Sequence, residues 1–101
     1  MKTYNLEERT FEFARDCRFL IFKLPKTIVN IEDGKQLVKS SGSVGANYIE
    51  ANEKLGDKDF KFRLRISRKE AKESMYWLKL LKATNSNQEM KIAELLQEAM
   101  S

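Results

Sequence analysis

A chain of 101 residues has room for one domain, and so small a core makes self-association a natural way to bury further apolar surface. Its 42% hydrophobic and 34% charged residues, with only four glycines and one proline, exclude a turn-rich β fold and favour an all-α chain. The formal charge of +4 is local: residues 57–82 hold nine Lys and Arg against four Asp and Glu, so this segment is +5 and the rest −1, which excludes a uniformly basic surface.

Residues 1–9 have no strong periodicity and read as a lead-in. From Thr10 to Leu24, the residues Phe13, Ala14, Cys17, Leu20, Ile21 and Leu24 fall within about a third of the helical circumference, as a core-facing amphipathic helix requires. Phe11, Phe19 and Phe22 lie outside that arc beside Arg15 and Arg18, and are either rim packing in a small bundle or a subunit interface. The run Phe19 to Phe22 is the longest unbroken apolar stretch, far short of the about 20 residues a bilayer span needs. No signal-peptide pattern opens the sequence, so the cytosol is the expected compartment, with no membrane partner. Cys17 is single and on the apolar side, which reads as a reduced core residue rather than a reactive thiol.

Pro25 ends this helix because it has no amide hydrogen to donate and pushes Leu24 out of the α region. Asn30 followed by Asp33 resembles a capping pair, so a second helix is predicted from near Ile31 to about Lys54. Leu37, Ser41, Val44, Tyr48, Ala51 and Leu55 alternate four and three apart, carrying one seam across SSGSVGANY. A loop over Ser40–Gly45 is the alternative, but it would leave Leu37 and Val44 without a common seam. Glycine inside a helix costs about 1 kcal/mol relative to alanine. Gly42 and Gly45, beside Ser41 and Ala46, are therefore expected where another element approaches closely.

Gly56 reads as a helix stop and Asp57 as the N-cap of a third helix running to Thr84, around which the rest of the chain is organised. It has three faces. Phe60, Leu64, Ser67, Ala71, Ser74, Leu78 and Leu81 form a bundle seam; Lys61, Arg65, Arg68, Lys72 and Lys79 form a basic stripe without an interposed carboxylate. Phe62, Ile66, Trp77 and Leu80, around Glu70 and Glu73, form an apolar and acidic strip that the same core cannot also cover. With Phe11, Phe19 and Phe22 they are the expected contacts of a homo-oligomer. After a polar turn, Ser86 and Glu89 fit a capping box opening a fourth helix through Met100, with Ile92, Leu95, Leu96 and Ala99 inward. Four helices with short connections predict a single antiparallel up-down-up-down four-helix bundle.

Glu50, Glu53, Glu70 and Glu73 invite a di-metal reading, but such sites add Glu-x-x-His ligands and the chain has no histidine, so neither metal nor other cofactor is expected. Without histidine or a phosphate-binding loop, and with its one cysteine inward, the chain lacks the usual parts of an enzyme. Asn47 and Glu50, three apart, read as a polar contact within or between subunits. Two function classes remain. The stripe is either a nucleic-acid-binding surface for RNA or DNA, or the solvated face of a protein-interaction scaffold.

The sequence QLVKSSGSVGANYIEAN followed by KDFKFRLRISRKEAKESMYWLKLL resembles the bacterial four helix bundle protein family, also called the 23S rRNA intervening-sequence proteins. The resemblance covers roughly Leu24 to Thr84 and rests on Ser40-Ser41, Asn47 and Glu50, then Lys69-Glu70-Ala71 and Tyr76-Trp77-Leu78. It implies a small antiparallel bundle assembling into a ring-shaped homopentamer. It also implies kinship with accessory proteins of diversity-generating retroelements, which contact nucleic acid and a reverse transcriptase.

Overall fold

The computed structural model describes residues 5–53 and 56–100. Four helices run up-down-up-down: α1 (Leu6–Lys23), α2 (Ile28–Asn52), α3 (Asp57–Thr84) and α4 (Glu89–Met100), the last preceded by a 3-10 turn over Ser86–Gln88. They pack as a square in which α1 touches α2, α2 touches α3, α3 touches α4 and α4 closes on α1. At 1.5 Å per residue, α3 is about 42 Å long, close to the 44 Å long axis of the molecule, whereas α4 is about 18 Å. The fourth helix therefore covers only part of the third.

The helix starts differ from the sequence expectations for identifiable reasons. Asn5, not Thr10, begins the first helix: its side chain accepts a 2.7 Å hydrogen bond from the Glu8 amide, with Glu7 and Glu8 favourably placed in the first turn. The second helix is capped by Thr27, whose hydroxyl accepts from the Asn30 amide at 3.1 Å, so Asn30 lies inside the helix rather than ahead of it. Asp57 is the first helical residue of α3 and not its cap; that position falls to Gly56, whose φ of 136° is accessible to glycine at little cost. The Ser86–Glu89 capping box does not form, because Ser86 opens the 3-10 turn and its carbonyl accepts from the Glu89 amide. Lys54 and Leu55, expected at the end of the second helix, lie outside the described residues.

Asn30 has another task. Its amide nitrogen donates to Asn85 Oδ1 at 2.9 Å and to the Pro25 carbonyl at 2.9 Å, while Asn85 Nδ2 donates to Asn30 Oδ1 at 2.8 Å and to the Leu81 carbonyl at 2.9 Å. Both amides are buried, and this reciprocal pair ties the α1–α2 turn to the α3–α4 turn.

Above that staple lies the apolar core. Leu20, Leu37, Leu78, Leu81 and Ile92 are wholly buried, joined by Phe13, Cys17, Leu24 and Leu95, with Ile21, Trp77, Leu96 and Ala99 packed against them. Burial of each such side chain contributes about 1.5–3 kcal/mol. These residues come mostly from the C-terminal halves of α1 and α3 and the start of α4, so the leucine core occupies one end of the bundle. Towards the other end the α2–α3 interface is made by small residues. Ser67 Oγ donates to the Val44 carbonyl at 2.8 Å, and Ser74 Oγ lies 2.8 Å from Ser40 Oγ and 3.0 Å from the Glu70 carbonyl. Ser40 to Gly45 is helix, as the continuous seam requires. Phe60, Leu64 and Ala71, expected in the seam, are only half-buried.

Gly45 sits at a close approach, but to α1: a Cβ there would lie 2.9 Å from Thr10 Oγ1 and 3.2 Å from Thr10 Cβ. Ala46, expected at the same contact, is exposed, since one residue turns the chain by 100°. Gly45→Leu should therefore destabilise the fold by about 1–3 kcal/mol through overpacking. In Gly45→Ala, the gain in helix propensity of about 1 kcal/mol should largely offset the strain. Melting followed by circular dichroism checks both, and a Leu variant as stable as the parent would place Gly45 away from α1.

Candidate nucleic-acid interface

The seam fixes the rotation of α3 about its axis. With Ser67 and Ser74 held against α2, and Leu78 and Leu81 in the core, the side carrying Lys61, Arg65, Arg68, Lys72 and Lys79 is turned outward, and all five are exposed. The first four step along the axis by about 4.5–6 Å, comparable to the spacing of successive phosphates; Lys79 follows about 10 Å beyond Lys72.

None of the five takes part in an ion pair among the described residues. The pairs that do form are Arg9–Glu98, Arg15–Asp16, Lys35–Glu32, Arg63–Asp59 and Lys91–Glu94. Arg63 marks the contrast. It turns to the α2 side, where Nη1 donates to Asn47 Oδ1 at 3.4 Å and Nε stands 3.9 Å from Asp59. Asn47 also donates to the Ser43 carbonyl at 2.9 Å, so its contact is within the subunit, while Glu50 is exposed. Tyr76 is 56% exposed towards the edge of the stripe, its ring meeting Trp77 edge-on at 5.0 Å.

The residues expected at subunit contacts divide by exposure. Phe11 (67%), Phe19 (50%), Phe22 (78%) and Phe62 (54%) are exposed, whereas Ile66, Trp77 and Leu80 are half-buried. Trp77 leans on the core, and its buried indole N–H has no hydrogen-bond partner among the described residues. Guanidinium groups lie over two of the exposed rings, Arg15 5.8 Å from Phe19 and Arg63 5.9 Å from Phe62. Sequence reasoning missed Ile31 and Ile49, both exposed on α2. They are eighteen residues apart, five whole turns, and so lie on one line of the helix. That period was legible in the sequence.

Cys17 offers no nucleophile. Burial pushes its thiol up from 9.0 to about 12, outweighing the lowering by a hydrogen bond with Ser41 and by the Arg18 charge. Among the described residues no three or more metal-ligating side chains gather, and no helix is long and apolar enough to cross a membrane.

The chain matches the family described as 23S rRNA-intervening sequence protein over residues 2–101. No curated protein matches it. A similar solved structure is that of a protein of unknown function from the S23 ribosomal protein family of Bacteroides thetaiotaomicron. It is 29% identical, with a TM-score of 0.79 over 95% of this chain and 89% of that chain.

Like charges three or four residues apart on a helix each cost about 0.2–0.5 kcal/mol, and Arg65 has three such neighbours in Lys61, Arg68 and Lys69. Arg65→Gln should consequently raise stability by about 0.5–1 kcal/mol at low ionic strength, a gain that shrinks as salt screens the repulsion. Urea denaturation at two salt concentrations measures this, and a loss of stability would mean that Arg65 makes a packing contact instead.

Proposed function

The chain belongs to the 23S rRNA-intervening sequence protein family, and from that premise we propose that it is a non-enzymatic bundle module that holds RNA or DNA by the phosphate backbone on the basic face of α3. The observation that carries this reading is the unbroken line of exposed cations, Lys61, Arg65, Arg68 and Lys72, extended by Lys79, with no carboxylate partner among the described residues. A solvated face is normally laced with ion pairs, as α1, α2 and α4 are here. The stripe keeps its mutual repulsion, which a polyanion would relieve. Charge alone reads no bases, so the binding is largely indifferent to sequence, with Tyr76 as the one side chain placed to stack on a base. Such a module serves as an accessory to a nucleic-acid enzyme, a reverse transcriptase being the example the family resemblance suggests.

If about four phosphates are engaged, log affinity for duplex should fall against log salt with a slope of about −3.6. Each change of a stripe lysine to alanine should reduce that slope by about 1. Fluorescence polarisation at low salt makes the measurement. Absence of binding to mixed RNA and DNA, or binding unchanged in Arg65→Glu, Arg68→Glu, Lys72→Glu, would leave the protein-interaction scaffold as the function.

The exposed phenylalanines favour self-association as part of the same reading. Phe11, Phe19 and Phe22 on α1 and Phe62, Ile66, Trp77 and Leu80 on α3 occupy different faces, which suits a heterologous contact; the family resemblance gives the ring of five copies. Repetition would multiply the cationic stripe. Phe22→Glu is the cleaner probe than Trp77→Ala, since Phe22 is 78% exposed while Trp77 also supports the core. Light scattering should find an oligomer for the parent and a smaller species for Phe22→Glu with unchanged helicity, whereas a monomeric parent at micromolar concentration would rule the assembly out.

A further inference from the structure

The α1–α2 turn and the α3–α4 turn stand at one end of the bundle, fastened to each other by Asn30 and Asn85. That end is apolar and cationic together. Phe22, near the end of α1, is 78% exposed, and α2 opens with Ile28 at 77%, Val29 at 47% and Ile31 at 44%. Ile31 lies about 60° around α2 from Gly34, which meets Ile21, so it is turned towards α1 and continues the patch to Phe22. Lys23 and Lys26 stand among these side chains. Residues 22–31 contain no Asp or Glu, and neither do residues 82–88 of the facing turn, where Lys82 is a third cation. None of the three lysines is ion-paired among the described residues, and Glu32, the first carboxylate after the α1–α2 turn, is held by Lys35 at 3.4 Å. The first turns of α1, α3 and α4 carry acids, which the helix dipole favours; that of α2 carries none and has isoleucine and valine in their place.

We infer that this end of the bundle docks on the surface of an anionic phospholipid bilayer, Ile28 and its apolar neighbours entering the headgroup boundary and Lys23 and Lys26 resting on the lipid phosphates. The pairing of exposed apolar side chains with unanswered positive charge selects this occupant. A nucleic-acid backbone would meet the lysines but offers Ile28 and Val29 no apolar contact. A second copy meeting end to end would cover the apolar side chains but would set Lys23 and Lys26 against their own copies. A bilayer surface does both: it takes apolar side chains to a depth of about 5–10 Å and meets the lysines with anionic headgroups. Lysine suits that boundary, because its stem lies along apolar neighbours while the ammonium stays among the phosphates. A turn and the helix ends beside it also make a convex tip, which a deformable surface accommodates. No helix among the described residues is long and apolar enough to cross a membrane, and docking of this kind needs none. The inference stands apart from the nucleic-acid reading, since none of its residues belongs to the α3 stripe.

The test is co-sedimentation of the whole protein with vesicles of phosphatidylcholine and phosphatidylserine at about three to one, beside vesicles of phosphatidylcholine alone. The parent should bind the mixed vesicles and leave the neutral ones largely free. Ile28→Ser with Val29→Ser keeps every charge and should weaken binding about tenfold or more. Lys23→Gln with Lys26→Gln should weaken it about 25-fold. All four positions are exposed, so circular dichroism should find the helicity of both variants unchanged, and their nucleic-acid binding should equal the parent's. Phe22 is left in place, so light scattering on the same variants reports self-association separately. Attraction of the α3 stripe to anionic vesicles would survive Ile28→Ser with Val29→Ser, and that outcome overturns the inference. Ile28→Trp gives a second reading that does not depend on affinity: lipids brominated on the acyl chains near the headgroup should quench its fluorescence more than that of Trp77 in the parent. Quenching no greater than in the parent, or absence of binding to the mixed vesicles, which would leave this end to a protein partner, overturns it as well.

Discussion

The contact between Ser40 on α2 and Ser74 on α3, at 2.8 Å, sets the geometry of everything outward of it. Serine is a poor choice for a core by hydrophobicity, yet Ser40, Ser41 and Ser74 are all almost wholly buried. Their small size lets neighbouring backbones approach. Their hydroxyls find partners in carbonyls and in each other, so burial leaves no donor stranded. Ser67, donating to the Val44 carbonyl, repeats the contact two turns away along α3. Two such points fix the rotation of α3, and once its rotation is fixed, the direction of the basic stripe follows.

The bundle is therefore polarised along its length. At one end the reciprocal Asn30–Asn85 amides close the turns beneath a compact leucine core. At the other, α2 and α3 hold each other through small residues, and Leu64 and Ala71 are half-buried. A polar staple beside the core costs little, because each amide hydrogen has an acceptor. What it secures is register, since sliding either turn by one residue would strand both amides.

Arg68 and Lys72 belong to the basic stripe and also border the apolar hollow between α1, α2 and α3. The apolar faces of α1 and α3 that suit self-association are separate from both.

The sequence alone determined the helices and their order, because apolar spacing of three and four persists even through SSGSVGANY. It determined the basic stripe as well: the 100° turn per residue aligns Lys61, Arg65, Arg68 and Lys72 whatever they pack beside. The C-terminal end of α3 at Thr84 and the inward residues Ile92 and Leu95 were equally legible. Helix starts were not. Asn30 has the local signature of a cap, yet it is drawn into the bundle by Asn85, fifty-five residues away, and Thr27 takes the cap in its place. Nor could periodicity say that Gly45 meets Thr10, that Ala46 faces outward, or that Leu64 and Ala71 border a groove. Those outcomes depend on which helix lies across from which and where each one stops. Local patterning places a residue on a face; only the packing of one helix against another decides what, if anything, covers it.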